Sequence, residues 1–173
     1  IFCLSDGIKN VYEKDLLIEK SNLYVTPNGV NTSKFVTRDP KYPDRSLYLA
    51  KIDYRKRQSM FQSISSLYYA GNNADPNFNT NINYLGEWSK EYLYNNLTDY
   101  GNLVLLSDGE AHPLVCMEAL AAGLGVVVCE YGAANLDTTK DFITVIPESK
   151  IRDLKYLEEE IVKNRDYSVS HKD

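Results

Sequence analysis

The chain has little that would commit it to nucleic acid, to a membrane or to an oxidising compartment. Nineteen Lys and Arg against 24 Asp and Glu leave a formal net charge of -5 over 173 residues. That is the wrong sign for a phosphate-tracking surface, although Lys51, Arg55, Lys56 and Arg57 form a local basic group. No nucleic-acid partner is expected. No run approaches the roughly 18 apolar residues of a spanning helix. The first residues lack a basic region leading into a long apolar stretch and a cleavage site, so no signal peptide is expected. The chain opens at Ile1 on a strand-like IFCLS, which reads as a start cut from a longer polypeptide. Cys3, Cys116 and Cys129 are an odd number, form no C-x-x-C and each lie in an apolar segment. They read as reduced core thiols of a cytoplasmic protein.

What is present is an ordinary globular composition, 43% hydrophobic and 25% charged. The length suits one domain with a buried core. Strand-like and helix-like segments alternate. Strands are expected at Phe2–Leu4, Leu23–Val25, Ser46–Ala50, Leu67–Ala70, Ile82–Leu85, Leu103–Leu106, Val126–Cys129 and Ile143–Ile146. Helices are expected at Lys9–Glu19, Lys56–Ser65, Ser89–Leu97, after Pro113, and at Ile151–Asn164, with a polar, frayed tail beyond Arg165. LVLL and VVVC are continuous aliphatic runs of the kind found in strands buried on both faces. The pattern predicts an α/β, Rossmann-like, mostly parallel sheet with helices on both faces.

Three stretches point to chemistry. The first is NLVLLSDGEAHPLVCMEALAAGLGVVVCEYG, Asn102 to Gly132, in which a buried strand, a polar loop and a helix follow one another. Loops at the carboxyl ends of such strands bind ligands, because free N–H groups and the positive helix end face outward there. The N–H groups of Leu114 and Val115 in the first helical turn suit a phosphate. Glu110 and Glu118 form E-x7-E. One precedes the helix and one lies within it, so they suit two parts of an elongated hydroxylated ligand better than one shared proton. The second is Pro27-Asn28-Gly29-Val30 after a strand, where Asn-Gly predicts a left-handed tight turn. The third places Lys51 and Lys56 at the end of a strand, where they can pair with phosphate or simply be solvated.

Together these stretches resemble the C-terminal, donor-binding domain of a retaining GT-B glycosyltransferase of the family 4 type. YVTPNGVNTSKF is similar to that family's Pro-Asn-Gly-Val-Asp turn and trailing Phe. LYLAKIDYRKRQ is similar to its Gly-Arg-Leu-x-x-x-Lys-Gly stretch, with Ala50 for Gly, Lys51 for Arg, Lys56 kept and Arg57 for the last Gly. LSDGEAHPLVCMEALAAGLGVVV resembles the segment with the Glu pair.

The resemblance implies roles. Lys51 and Lys56 would neutralise the donor diphosphate as the sugar leaves, and Glu110 would contact the sugar. Glu118 would bind the ribose hydroxyls. Ala111, His112, Pro113, Leu114 and Val115 would line sugar and phosphates, while Gly86, Glu87 and Trp88 would hold the base. Asn28 and Gly29 would border the donor site. His112 would line the sugar pocket or cap the helix. The substrate would be a UDP- or GDP-linked sugar, with no other cofactor and no protein-bound metal, D-x-E-x-H having no established zinc spacing. The partner would be an N-terminal acceptor domain of the same polypeptide, absent here, so the chain alone would bind nucleotide without transferring sugar. Peripheral membrane association would concern the full-length enzyme only. A nucleotide-sugar epimerase or hydrolase on the same scaffold, or a non-catalytic nucleotide-sugar-binding module, remain open alternatives.

Overall fold

The computed structural model describes residues 1 to 171, with side chains through Ser168. The elements in chain order are β1 (Phe2–Cys3), α1 (Asp6–Lys14), β2 (Tyr24–Val25), β3 (Tyr42–Leu49), β4 (Leu67–Ala70), α2 (Lys90–Asn96), β5 (Tyr100–Leu105), α3 (Leu114–Ala121), β6 (Gly125–Cys129), β7 (Ile143–Ile146) and α4 (Leu154–His171). Five strands form one all-parallel sheet in the order β4-β3-β5-β6-β7, so the expected Rossmann-like architecture is present. β1 and β2 pair separately, as a two-stranded parallel sheet.

The central strands lie where continuous apolar runs predict them. Every residue of β5 and β6 is buried. Leu67–Ala70 and Ile143–Ile146 match the expected limits. Burial raises the Cys116 thiol above its ordinary range, as expected for an inert core cysteine. Helix ends follow local chemistry: the Ser5 and Ser89 hydroxyls accept from Ile8 N and Tyr92 N at the starts of α1 and α2. α3 stops at Gly123, which has φ +79; Leu124 N donates to Ala119 O at 2.9 Å and Gly123 N to Leu120 O at 3.0 Å, a Schellman closure.

Four expectations are corrected. No α-helix covers 56 to 65. Asp53 accepts from Arg55 N and Lys56 N through its carboxylate, Arg57 turns left-handed at φ 59, and only a 3-10 turn, Gln58–Phe61, follows. Ile82–Leu85 makes a single bridge, Tyr84 to Tyr69, because Asn83 at φ 50 interrupts its extension. Gly29 does not take a positive φ, so Asn28-Gly29 is not the predicted left-handed turn. The last helix continues past Arg165 to His171 rather than fraying, because Gly125 N donates to the buried Ser168 hydroxyl at 2.6 Å. Lys172 and Asp173, the end of the expected tail, lie outside the described residues.

α4 is fastened beneath the amino ends of the strands by a buried polar seam. The Ser46 hydroxyl donates to Asn102 Oδ1, and Asn102 Nδ2 donates to Ile161 O at 2.8 Å and Asn164 Oδ1 at 3.0 Å. Asn164 Nδ2 in turn donates to Phe142 O at 3.2 Å and Thr144 Oγ1 at 3.0 Å. There is no room for another carbon: a Cβ on Gly125 would sit 2.6 Å from Asn164 Oδ1. Gly125→Ala is therefore expected to destabilise the protein by about 1–3 kcal/mol, read as a lower urea midpoint at unchanged slope.

Candidate functional site

β3 runs outward to β4, whereas β5 leads to β6 on the other side, so the crevice beyond the carboxyl ends of β3 and β5 is the topological switch point of the sheet. A cleft of about 360 Å³ opens there. Leu49, Ala50 and Lys51 line it from the end of β3, and Gly71 and Asn72 from the end of β4. Glu87, Trp88 and Lys90 line it from the α2 entry, and Leu114, Val115 and Glu118 from α3. Six of the sequence-predicted residues thus meet in one cavity: Lys51, Glu87, Trp88, Leu114, Val115 and Glu118. Gly71 has φ +138, and a Cβ there would lie 2.0 Å from Ala50 O, so the backbones at the cleft floor touch. Gly86 supports that floor, its carbonyl accepting from Gly71 N at 2.9 Å. Trp88 stacks edge-on against Tyr92 at 5.0 Å between centroids.

The two carboxylates meet different lysines. Glu110 pairs with Lys56. Glu118 Oε1 lies 2.6 Å from Lys90 Nζ, the Glu118 side chain 7% exposed and that of Lys90 64%. Lys90 is a residue the sequence reading missed. Its position at the start of a helix carries no motif, and only the fold brings it to Glu118, 28 residues away. A second cleft of about 230 Å³, bordered by Gly29, Asn31 and Phe35, shares Lys90, Leu114 and Glu118 with the first.

Lys56 is positioned from below by another residue that sequence reasoning missed. The Tyr48 hydroxyl, on β3, donates to Lys56 O and accepts from Leu106 N at 2.9 Å. It thereby ties the Lys56 loop to the end of β5. Burial raises its phenol beyond the ordinary tyrosine range, so it stays a neutral strut. Lys56 and Lys51 do not act as one pair: Lys51 faces the cleft, and Lys56 is engaged by Glu110.

The loop before α3 is tied in three directions. Asp108 pairs with Arg57 at 3.0 Å, Glu110 with Lys56, and His112 Nδ1 accepts from Asn28 N at 2.8 Å. D-x-E-x-H therefore diverges. Among the described residues no group of three His, Cys, Asp or Glu converges on a metal position. His112 is 6% exposed, and its backbone carbonyl also accepts from Asn28 Nδ2 at 3.1 Å. It clasps the Asn28 segment rather than capping α3, whose first turn has no side-chain cap. Ala111 and Pro113 flank that clasp, half-buried and buried, and neither lines the larger cleft.

No family model and no curated protein matches the chain. Solved structures do. WaaG, a glycosyltransferase involved in lipopolysaccharide biosynthesis, superposes with a TM-score of 0.76 at 14% identity, over 99% of this chain and 56% of WaaG. TarM superposes at 0.73 and 15% identity, over 99% of this chain and 38% of TarM. HepE of Anabaena, solved with UDP, gives 0.71 at 10% identity, over 99% of this chain and 59% of HepE. This is the fold of one GT-B domain. The chain spans well under two thirds of each of these structures.

Within that fold Arg57 stands where the resembled motif has glycine, and the backbone keeps the left-handed conformation, φ 59 and ψ 15. The side chain reaches Asp108 and Glu148, the latter at 2.8 Å. Left-handed backbone costs a residue with a Cβ about 1–2 kcal/mol. Arg57→Gly and Arg57→Ala both lose the ion pairs, but only glycine relieves the backbone. The glycine variant is expected to be the more stable of the two by about 1 kcal/mol in urea unfolding.

Proposed function

We propose that this chain is the donor-binding half of a retaining glycosyltransferase that takes a UDP- or GDP-linked sugar. The observation that carries the reading is the cleft at the switch point. A buried carboxylate, Glu118, lines it together with Lys51, a lysine without a carboxylate partner among the described residues, and an aromatic side chain, Trp88. A nucleoside diphosphate has complementary parts. Its ribose diol donates to a carboxylate, its diphosphate seeks a cation and helix-start amides, and its base packs on an apolar wall. In this reading Glu118 takes the ribose, Lys51 and the start of α3 take the diphosphate, and Glu110 with Lys56 addresses the donor sugar and the leaving phosphate.

The chemistry assigned to these residues is electrostatic. As the bond from the anomeric carbon to the phosphate oxygen breaks, negative charge grows on the diphosphate, and lysines near it lower the barrier in proportion to that growth. The acceptor and its activation belong to a second domain, so the chain alone binds donor and transfers nothing. The UDP complex of HepE and the TarM structure with UDP support a nucleotide in this fold. Protein-bound metal has no part in the proposal, and the setting proposed is the cytoplasm. No described helix is long and apolar enough to cross a membrane.

Calorimetric titration with UDP, GDP and their sugars tests the proposal. One nucleoside diphosphate is expected to bind, and Glu118→Ala is expected to weaken it by about tenfold to a hundredfold, the loss of charge-assisted hydrogen bonds. No heat with any donor would overturn the donor-binding assignment, and turnover by the chain alone at the rate of an intact enzyme would overturn its inactivity alone.

A further inference from the structure

Lys90 is outside the motif residues, yet it lies on the wall shared by both clefts and reaches the most buried carboxylate of the site. We infer that Lys90 is a positioning residue for ligand recognition: by holding Glu118 Oε1 it presents Oε2 to the vicinal hydroxyls of a ribose. This rests on the proposed assignment of Glu118 to ribose.

The geometry supports that division of labour. Lys90 is the first residue of α2, held by the Ser89 cap, and Glu118 stands in the second turn of α3. Their 2.6 Å contact bridges two helices that both border the cleft. The Glu118 side chain is 7% exposed, so without a cation its charge would be uncompensated in a poorly solvated site. Lys90 keeps its stem along the wall and most of its surface in water. Its own contribution to stability is accordingly small, and its effect falls on the carboxylate it orients. Oε2 has no protein partner among the described residues, and Glu118 faces the cleft. One oxygen is committed to the lysine and one is left for a donor hydroxyl.

The alternative is competition, in which the ammonium occupies the hydroxyls' place and must be displaced. The two make opposite predictions. If Lys90 positions Glu118, Lys90→Met weakens UDP about tenfold, a charge-assisted contact's worth, and Lys90→Arg restores most of it. Lys90→Met weakens inorganic pyrophosphate and 2′,3′-dideoxy-UDP less than it weakens UDP, because neither offers a diol and both report only the lost charge compensation. In a Glu118→Gln background Lys90→Met adds nothing further, which a merely structural role would not produce. Unchanged or tighter UDP binding by Lys90→Met, while Glu118→Gln still weakens it, overturns the role of Lys90 alone. Failure of the unsubstituted protein to bind UDP or GDP, or to prefer UDP over its dideoxy analogue, overturns the ribose assignment and with it this inference.

Discussion

The site depends on a contact made at the opposite end of the sheet. Asn102, on the central strand, joins Ser46 of β3 to Ile161 and Asn164 of α4, and Asn164 reaches on to β6 and β7. Buried amides tolerate few alternative partners, since each unmet group costs about 1–3 kcal/mol. The network therefore fixes strand register as well as helix position. Register set at Ser46–Asn102 carries along the strands to their carboxyl ends, where Ala50 and Ser107 open the two loops of the cleft. At the other side of Asn102 the register shifts between Tyr42 and Ser46. Pro43 bulges there over Gly101, at which a Cβ would meet Pro43 O at 2.3 Å. A one-residue slip at this seam would misplace every side chain above it.

Above the seam, the loops are joined by contacts that cross the crevice rather than follow the chain. Tyr48 ties Lys56 to β5, Arg57 ties the β3 loop to Asp108, and Asp108 N donates to Arg55 O at 2.7 Å. His112 ties the loop before α3 to Asn28, and Asn135 Nδ2 donates to Leu4 O at 2.6 Å. The small β1-β2 sheet is thus docked on the body through polar clasps, while α1 buries none of its residues.

Much of this was legible in the sequence. Continuous aliphatic runs located β5 and β6, and the expected limits of β4 and β7 are those observed. Less legible were features set by long-range partners. Arg57 reads as a helix residue, yet Asp108 and Glu148 hold it in a left-handed turn that ends the expected helix. Asn-Gly reads as a tight turn, but the Asn28 amide and side chain are committed to His112, 84 residues away. Ser168 looks like tail until its hydroxyl meets Gly125 N. Lys90 and Tyr48 carry no motif, and nothing local distinguishes them from a surface lysine and a strand tyrosine.

The charge arrangement sets the terms on which such a site can hold a diphosphate. Lys56 with Glu110 and Lys90 with Glu118 each sum to zero, so these four side chains contribute no net attraction at a distance. Lys51 is the cation of the larger cleft left without a carboxylate partner among the described residues. The α3 start adds only partial charge, about half a unit for a helix. A bound diphosphate carries more negative charge than these can offset. Its remaining compensation must come from solvent, counterions or a surface closing over the cleft. Pairing the carboxylates with lysines has a further consequence. In the proposed reading each glutamate would accept hydrogen bonds from hydroxyls without repelling the phosphates, and each lysine would divide its three N–H donors between carboxylate and phosphate. The Lys56–Glu110 pair is the one assigned to that division in the proposed reaction. Growth of negative charge on the leaving phosphate would draw Lys56 away from Glu110 as the sugar's positive charge draws Glu110 toward it.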